Sequence, residues 1–126
     1  MRTGLRFMRD PTRGGLVAAL KELAAARQVD VQLTETSLPI APAVRGACEL
    51  LGVDPLYLAN EGKLLLVVAP QAAPRALELL RQHPLGQQAA QIGTVVRGSG
   101  RVLLHTRLGG TRRLEPLSGM PLPRIC

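Results

Sequence analysis

The sequence predicts one α+β domain: a layered sheet, mixed or antiparallel, with about three helices packed on it and an extended C-terminal tail. Three observations lead there. Apolar residues recur at helical spacing in three segments bounded by proline or glycine. "VDVQL" (29–33) alternates apolar and polar, and "LLLVVA" (64–69) is apolar throughout. The length of 126 residues suits one domain, 1–115, followed by a tail, 116–126.

The first eleven residues carry few structure signals. Thr12 is a good N-cap for a helix over 13–27, with Leu16, Ala19, Leu20 and Leu23 at helical spacing. "VDVQL" reads as a half-buried strand and "TETSLPIAP" as a loop. Pro42 suits the first turn of a second helix whose inward face is Val44, Ala47, Cys48 and Leu51; Gly52 ends it. "LLLVVA" reads as a central strand buried on both faces. A third helix runs over roughly 72–82 with Leu77 and Leu80 inward, until "HPLG" breaks it. "QIGTVV" and "RVLLHT" flank the glycine turn "RGSG" and read as a hairpin. Residues 109–115 add a short edge strand. From Pro116 on, three prolines and a glycine keep the tail extended.

Composition narrows the function. Apolar residues make up 46 %, but there is no Trp, one Tyr (Tyr57) and one Phe (Phe7), so the core is aliphatic. The net charge of +7 is nearly all arginine, scattered along the chain. Nucleic-acid binders cluster such charge and add stacking aromatics, so no nucleic-acid partner is expected. Nothing approaches the ~18 apolar residues of a membrane span, and the start lacks a signal-peptide run. A cytoplasmic protein is expected, not membrane-associated. The two cysteines, Cys48 and Cys126, make neither a disulfide framework nor a metal-type CxxC spacing, so no metal site is expected. Cys48 reads as a core residue. His83 suits a helix end and His105 a strand.

Three stretches carry possible chemistry. In "MRDPTRGGL" (8–16), Asp10, Thr12 and Arg13 stand ahead of or at the start of a helix, with Gly14 and Gly15 in its first turn. A helix N-terminus clear of side chains is a natural phosphate seat; the glycines equally suit close packing. In "ANEGK" (59–63), Glu61 could act as a base and Lys63 as a phosphate partner, or both could be solvated residues of a turn. Cys126 is the last residue, on a proline-stiffened arm, "PLPRIC", that would present a thiol to a pocket.

"MRDPTRGGL", "CELLGVDPLYLANEGK", "HPLGQQAAQIGTV" and the terminal "LPRIC", in this order, resemble the C-terminal domain of the HypE family of hydrogenase maturation proteins. That family is related to aminoimidazole ribonucleotide synthetase, selenophosphate synthetase and thiamin-monophosphate kinase. The resemblance implies the synthetase-type C-terminal fold. It also implies that Cys126 accepts a carbamoyl group from the carbamoyltransferase HypF, and that ATP drives its dehydration to a thiocyanate. The cyano group then passes to iron on the HypC–HypD complex for [NiFe]-hydrogenase. Asp10, Thr12, Arg13, Gly14 and Gly15 become the nucleotide-facing helix start, Glu61 the group assisting deprotonation, and Lys63 a phosphate partner. In that family a preceding domain supplies the homodimer core and most of the hold on Mg–ATP. This chain is therefore expected to be one part of a two-domain or split protein, inactive without the other. Two alternatives stay open: a carrier or docking module with no chemistry of its own, and another ATP-dependent member of the superfamily.

Overall fold

The 3.6-residue apolar period of residues 16–24 produces the central packing element. Helix α1 (Gly15–Arg27) buries Val17, Leu20, Leu23 and Ala24 along one stripe. The computed structural model describes residues 4–60 and 62–116. In it, the α1 stripe lies on a four-stranded sheet of order β4-β2-β5-β6. These strands are β2 (Val29–Thr34), β4 (Gly93–Arg97), β5 (Val102–His105) and β6 (Thr111–Leu114). Leu20, Leu33, Leu104, Leu114, Val17 and Val102 form the solvent-free centre of the core.

Strand β2 pairs antiparallel with β4, from Val29↔Arg97 to Leu33↔Gly93. On its other side it pairs parallel with β5, from Val31↔Val102 to Thr34↔His105. β5 and β6 are antiparallel. The expected α+β class and the edge strand near 109–115 are thus present. The hairpin expected across "RGSG" is not: β4 and β5 are separated by β2. The reason is a side chain. Buried Asp30, near the start of β2, accepts the N–H groups of Ser99 (3.0 Å) and Arg101 (2.9 Å), so the glycine turn is pinned to the start of β2.

The continuous run at 64–69 is not a central strand either. β3 (Leu65–Val68) belongs to a separate two-stranded sheet. Its partner is β1 (Leu5–Arg9), a strand that the signal-poor N-terminus did not announce. Leu65 is buried, Leu66 to Val68 are half-buried and Leu64 is exposed. Apolar character alone does not tell a strand within a large sheet from one in a small, partly wet sheet.

Helix α2 (Pro42–Leu51) begins at its proline and ends at Gly52, whose φ is +69°. Of its expected inward face only Cys48 is buried; Val44 is 45 % and Leu51 75 % exposed. Helix α3 (Ala73–Gln82) keeps Leu77 and Leu80 half-buried. His83 stands at the helix end as expected: its backbone N–H donates to the Leu80 carbonyl (3.1 Å), while its ring Nδ1 accepts the Leu85 N–H (3.1 Å) and caps the next 3-10 turn. Among the described residues, no helix is long and apolar enough to cross a membrane.

Candidate functional site

The segment between β1 and α1 is built by its backbone. Thr12 N–H donates to the Asp10 carbonyl (2.9 Å) and Gly15 N–H to the Thr12 carbonyl (3.1 Å). The helix starts at Gly15 rather than at residue 13, and its cap is Gly14, not Thr12. Gly14 sits at φ +73° and Gly15 at φ +67°, a region that residues with a side chain rarely adopt. No side chain caps the helix start.

Gly15 has a second constraint. A Cβ there would lie 2.7 Å from the Leu56 carbonyl oxygen and would also overlap the Leu58 carbonyl oxygen. The backbone of residues 56–58 therefore packs directly on the helix start. That segment is a 3-10 turn, Pro55–Tyr57, whose Leu56 N–H is capped by Asp54 Oδ1 (2.9 Å). The close approach that the glycine pair foreshadowed is thus met at Gly15 by the chain's own backbone.

This packing brings the two candidate motifs together. Asn60 N–H donates to the carbonyl of buried Pro11 (2.9 Å), and Asn60 Nδ2 donates to the Leu58 carbonyl (3.0 Å). The start of "ANEGK" is therefore joined to "DPTRGG". Asp10, Arg13, Gly14, Gly62 and Lys63 are each exposed, and Thr12 is half-buried. Gly62, at φ +74°, has open space about it. Glu61 and Cys126, the two reacting groups expected from the sequence, lie outside the described residues. Pro11 and Asn60 were not singled out as site residues. The turn-forming habit of Asn was the one available signal.

The root of the tail reaches the same region. Lys21 Nζ of α1 is 3.5 Å from Glu115 Oε2. Burial pushes the Tyr57 hydroxyl pKa up, opposed by hydrogen bonding with the Glu115 backbone. Tyr57 belongs to the turn packed on Gly15, so the chain leaves β6 beside the candidate site.

A cleft of about 390 Å³ lies between α2, the Pro55–Tyr57 turn and the β5–β6 strands. Its walls include Cys48, Arg45, Glu49, Leu104 and Arg112, and none of the residues expected to be functional. Among the described residues, no group of three or more His, Cys, Asp or Glu side chains could hold a metal ion.

Comparison with known proteins places this arrangement. The chain is 52 % identical to the carbamoyl dehydratase HypE of Bradyrhizobium diazoefficiens over 98 % of its own length, but spans 36 % of that protein. It superposes with a TM-score of 0.91 on a crystal structure of the hydrogenase maturation protein HypE in complex with ATP. Identity there is 44 %, over 98 % of this chain and 38 % of the other. A HypE–HypF complex matches with a TM-score of 0.86 at 38 % identity, over 90 % of this chain and 37 % of that one. The chain thus corresponds to a little over a third of its relatives' length. The family model "AIR synthase related protein, C-terminal domain" matches residues 1–105, and the chain belongs to that family.

Proposed function

We propose that this chain is the C-terminal part of a HypE-type carbamoyl dehydratase, working in the cytoplasm in [NiFe]-hydrogenase maturation. Residues 1–115 form the working domain, and 116–126 form an arm that carries its substrate on Cys126. The observation that supports this most is the Asn60–Pro11 backbone hydrogen bond, which joins the helix start to the start of "ANEGK", beside a turn whose Tyr57 hydrogen-bonds the Glu115 backbone.

The chemistry asks for those parts. HypF carbamoylates the Cys126 thiol, giving R–S–C(=O)–NH2. Its amide oxygen is a poor leaving group. ATP phosphorylates that oxygen, the nitrogen gives up both protons over the two steps, and phosphate departs. The products are R–S–C≡N, ADP and phosphate. The α1 start, with Arg13 exposed beside it, suits the transferred phosphate through its dipole. Glu61 takes a nitrogen proton, and Lys63 balances phosphate charge. Most of the hold on Mg–ATP, and the homodimer contact, belong to the rest of the protein. The cyano group then goes to iron on a HypC–HypD complex.

A second reading has support of its own. Its described residues contain no group of three or more His, Cys, Asp or Glu side chains that could hold a metal ion. On that reading it is a carrier that needs a separate ATP-binding partner. Intact mass after incubation with HypF, carbamoyl phosphate and ATP separates the two, with Cys126→Ser as control. A carboxamide adduct that loses one water supports the dehydratase. An adduct that stays carboxamide supports the carrier. No adduct at all counts against both.

A further inference from the structure

The four-stranded sheet ends in two edges, β4 and β6. A strand edge carries a row of main-chain donors and acceptors that another chain can pair with. Folded proteins guard it with charge, proline, a bulge or a cover. β6, "TRRL", has two adjacent arginines. β4, "GTVVR", has no proline, no register shift against β2, and one charge, at its end. Thr94 to Arg97 are exposed; Val95 is 38 % and Val96 39 % open to solvent.

The direction of the main-chain groups on β4 follows from one hydrogen bond. Thr34 N–H donates to the Ile92 carbonyl (2.9 Å). In an antiparallel ladder the groups of alternate residues face the same neighbour. Gln32 lies opposite Thr94 and Asp30 opposite Val96, so the groups of Ile92, Thr94 and Val96 point to β2. Those of Gly93, Val95 and Arg97 point away from the sheet. Among the described residues β4 has no ladder on that side.

We propose that this edge pairs with the same edge of a second copy, antiparallel about a two-fold axis at Val95. Val95 exchanges both hydrogen bonds with Val95 of the second copy, and Gly93 exchanges both with its Arg97. This register uses the whole strand, and it suits the side chains. Each Arg97 lies opposite a glycine, whereas a shift that brought the two arginines together would oppose like charges. Val95 meets Val95 on the α1 side of the sheet, where its β2 neighbour is buried Val31. Val96 meets Thr94 on the other side. Such β-branched pairs suit a sheet. The two sheets become one continuous sheet. The edge alone buries less than the ~1,000 Å² of a stable interface, so the dimer is weak, with a Kd of about 10 μM to 1 mM. This contact is separate from the homodimer core expected of the rest of the protein. It stands whether or not Cys126 is carbamoylated.

Cysteine placement reads the register. In a Cys126→Ser background, Val95→Cys brings two thiols onto the axis with Cα atoms ~5.5 Å apart, within disulfide range. Thr94→Cys lies opposite Val96, so its two copies are offset, with Cα atoms ~8 Å apart and out of range. Under a thiol oxidant, Val95→Cys should form a linked dimer about tenfold or more faster than Thr94→Cys. Equal rates would place any association elsewhere and overturn the proposal. Sedimentation gives a second readout. Val95→Lys and Val95→Glu should each weaken the wild-type dimer about tenfold or more, by setting like charges on the axis. An equal mixture of the two should recover it, which a folding defect would not allow. A wild-type chain still monomeric at about 1 mM would overturn the proposal. So would a dimer that neither charge disturbs.

Discussion

Arg101 donates three hydrogen bonds to Asp30: its backbone N–H to Oδ1 (2.9 Å), and Nε (3.1 Å) and Nη2 (2.7 Å) to Oδ2. Ser99 N–H adds a fourth donor to the same carboxylate, and the Arg101 carbonyl accepts the Val31 N–H (2.9 Å). Asp30 is 2 % exposed and is the only buried charged residue among those described. Removing one partner of such a pair leaves the other's charge and donors unmatched.

This pair sets a pH dependence. The Arg101 side chain, then its backbone N–H, hold the Asp30 carboxyl far below the usual carboxylate range. A lowered folded pKa contributes stability above the unfolded value of about 4, and that contribution fades as pH falls below it. Asp30→Asn should lower the thermal midpoint by roughly 10 °C at pH 7. Melting curves of both chains at pH 7 and pH 3 check the sign: the gap narrows in acid. A gap that widens would contradict it.

Gly15 and Gly62 have nearly the same φ but different surroundings. Gly62→Ala meets open space, so only the left-handed backbone penalty applies, about 1–2 kcal/mol. Gly15→Ala adds overlap with the Leu56 and Leu58 carbonyls and should cost about 2–5 kcal/mol. Urea unfolding of the two variants compares them; equal losses would show that the 56–58 segment can yield.

Leu20 and Leu51 test the two helices. Leu20→Ala opens a cavity under α1 and should cost about 3–5 kcal/mol. Leu51→Ala, at a position 75 % exposed, should change stability by less than about 0.5 kcal/mol. A large loss at Leu51 in the isolated chain would mean that α2 is packed more deeply than its exposure shows.

Glu61→Gln separates carrying from chemistry. Placed in a full-length protein of this type, it should leave HypF-dependent carbamoylation of Cys126 intact. It should slow loss of water by roughly 10²–10⁴-fold, the range for a positioned general base. Mass spectrometry of the tail peptide reads both steps: accumulated carboxamide is expected. Unchanged thiocyanate formation would assign the proton transfer to another group.

Local signals were legible where one residue type decides one local geometry. Pro42 and Gly52 bounded α2, the period of residues 16–24 gave α1, and "VDVQL" gave β2. The glycine pair of "MRDPTRGGL" and the polar loop "ANEGK" marked two segments that meet at Pro11 and Asn60. The Asn60–Pro11 hydrogen bond joining them was invisible, because it links backbone groups about fifty residues apart, and backbone groups carry no sequence mark. The cleft was invisible for a similar reason: Arg45, Glu49 and Arg112 become neighbours only after β6 has paired with β5.

By itself, the sequence determined the aliphatic core, the three helices and the α+β class, because turn chemistry and apolar period act within a few residues. Strand partners were decided only in three dimensions. A glycine turn between two strands normally makes a hairpin, yet here the charge of Asp30 draws that turn onto the start of β2 and sets β2 between them. Likewise the run at 64–69 had the composition of a sheet centre, but strand pairing with Leu5–Arg9 alone gave it a small sheet of its own. Pairing depends on which edges and buried polar groups are left to satisfy once the chain has collapsed, and no short stretch of sequence holds that information.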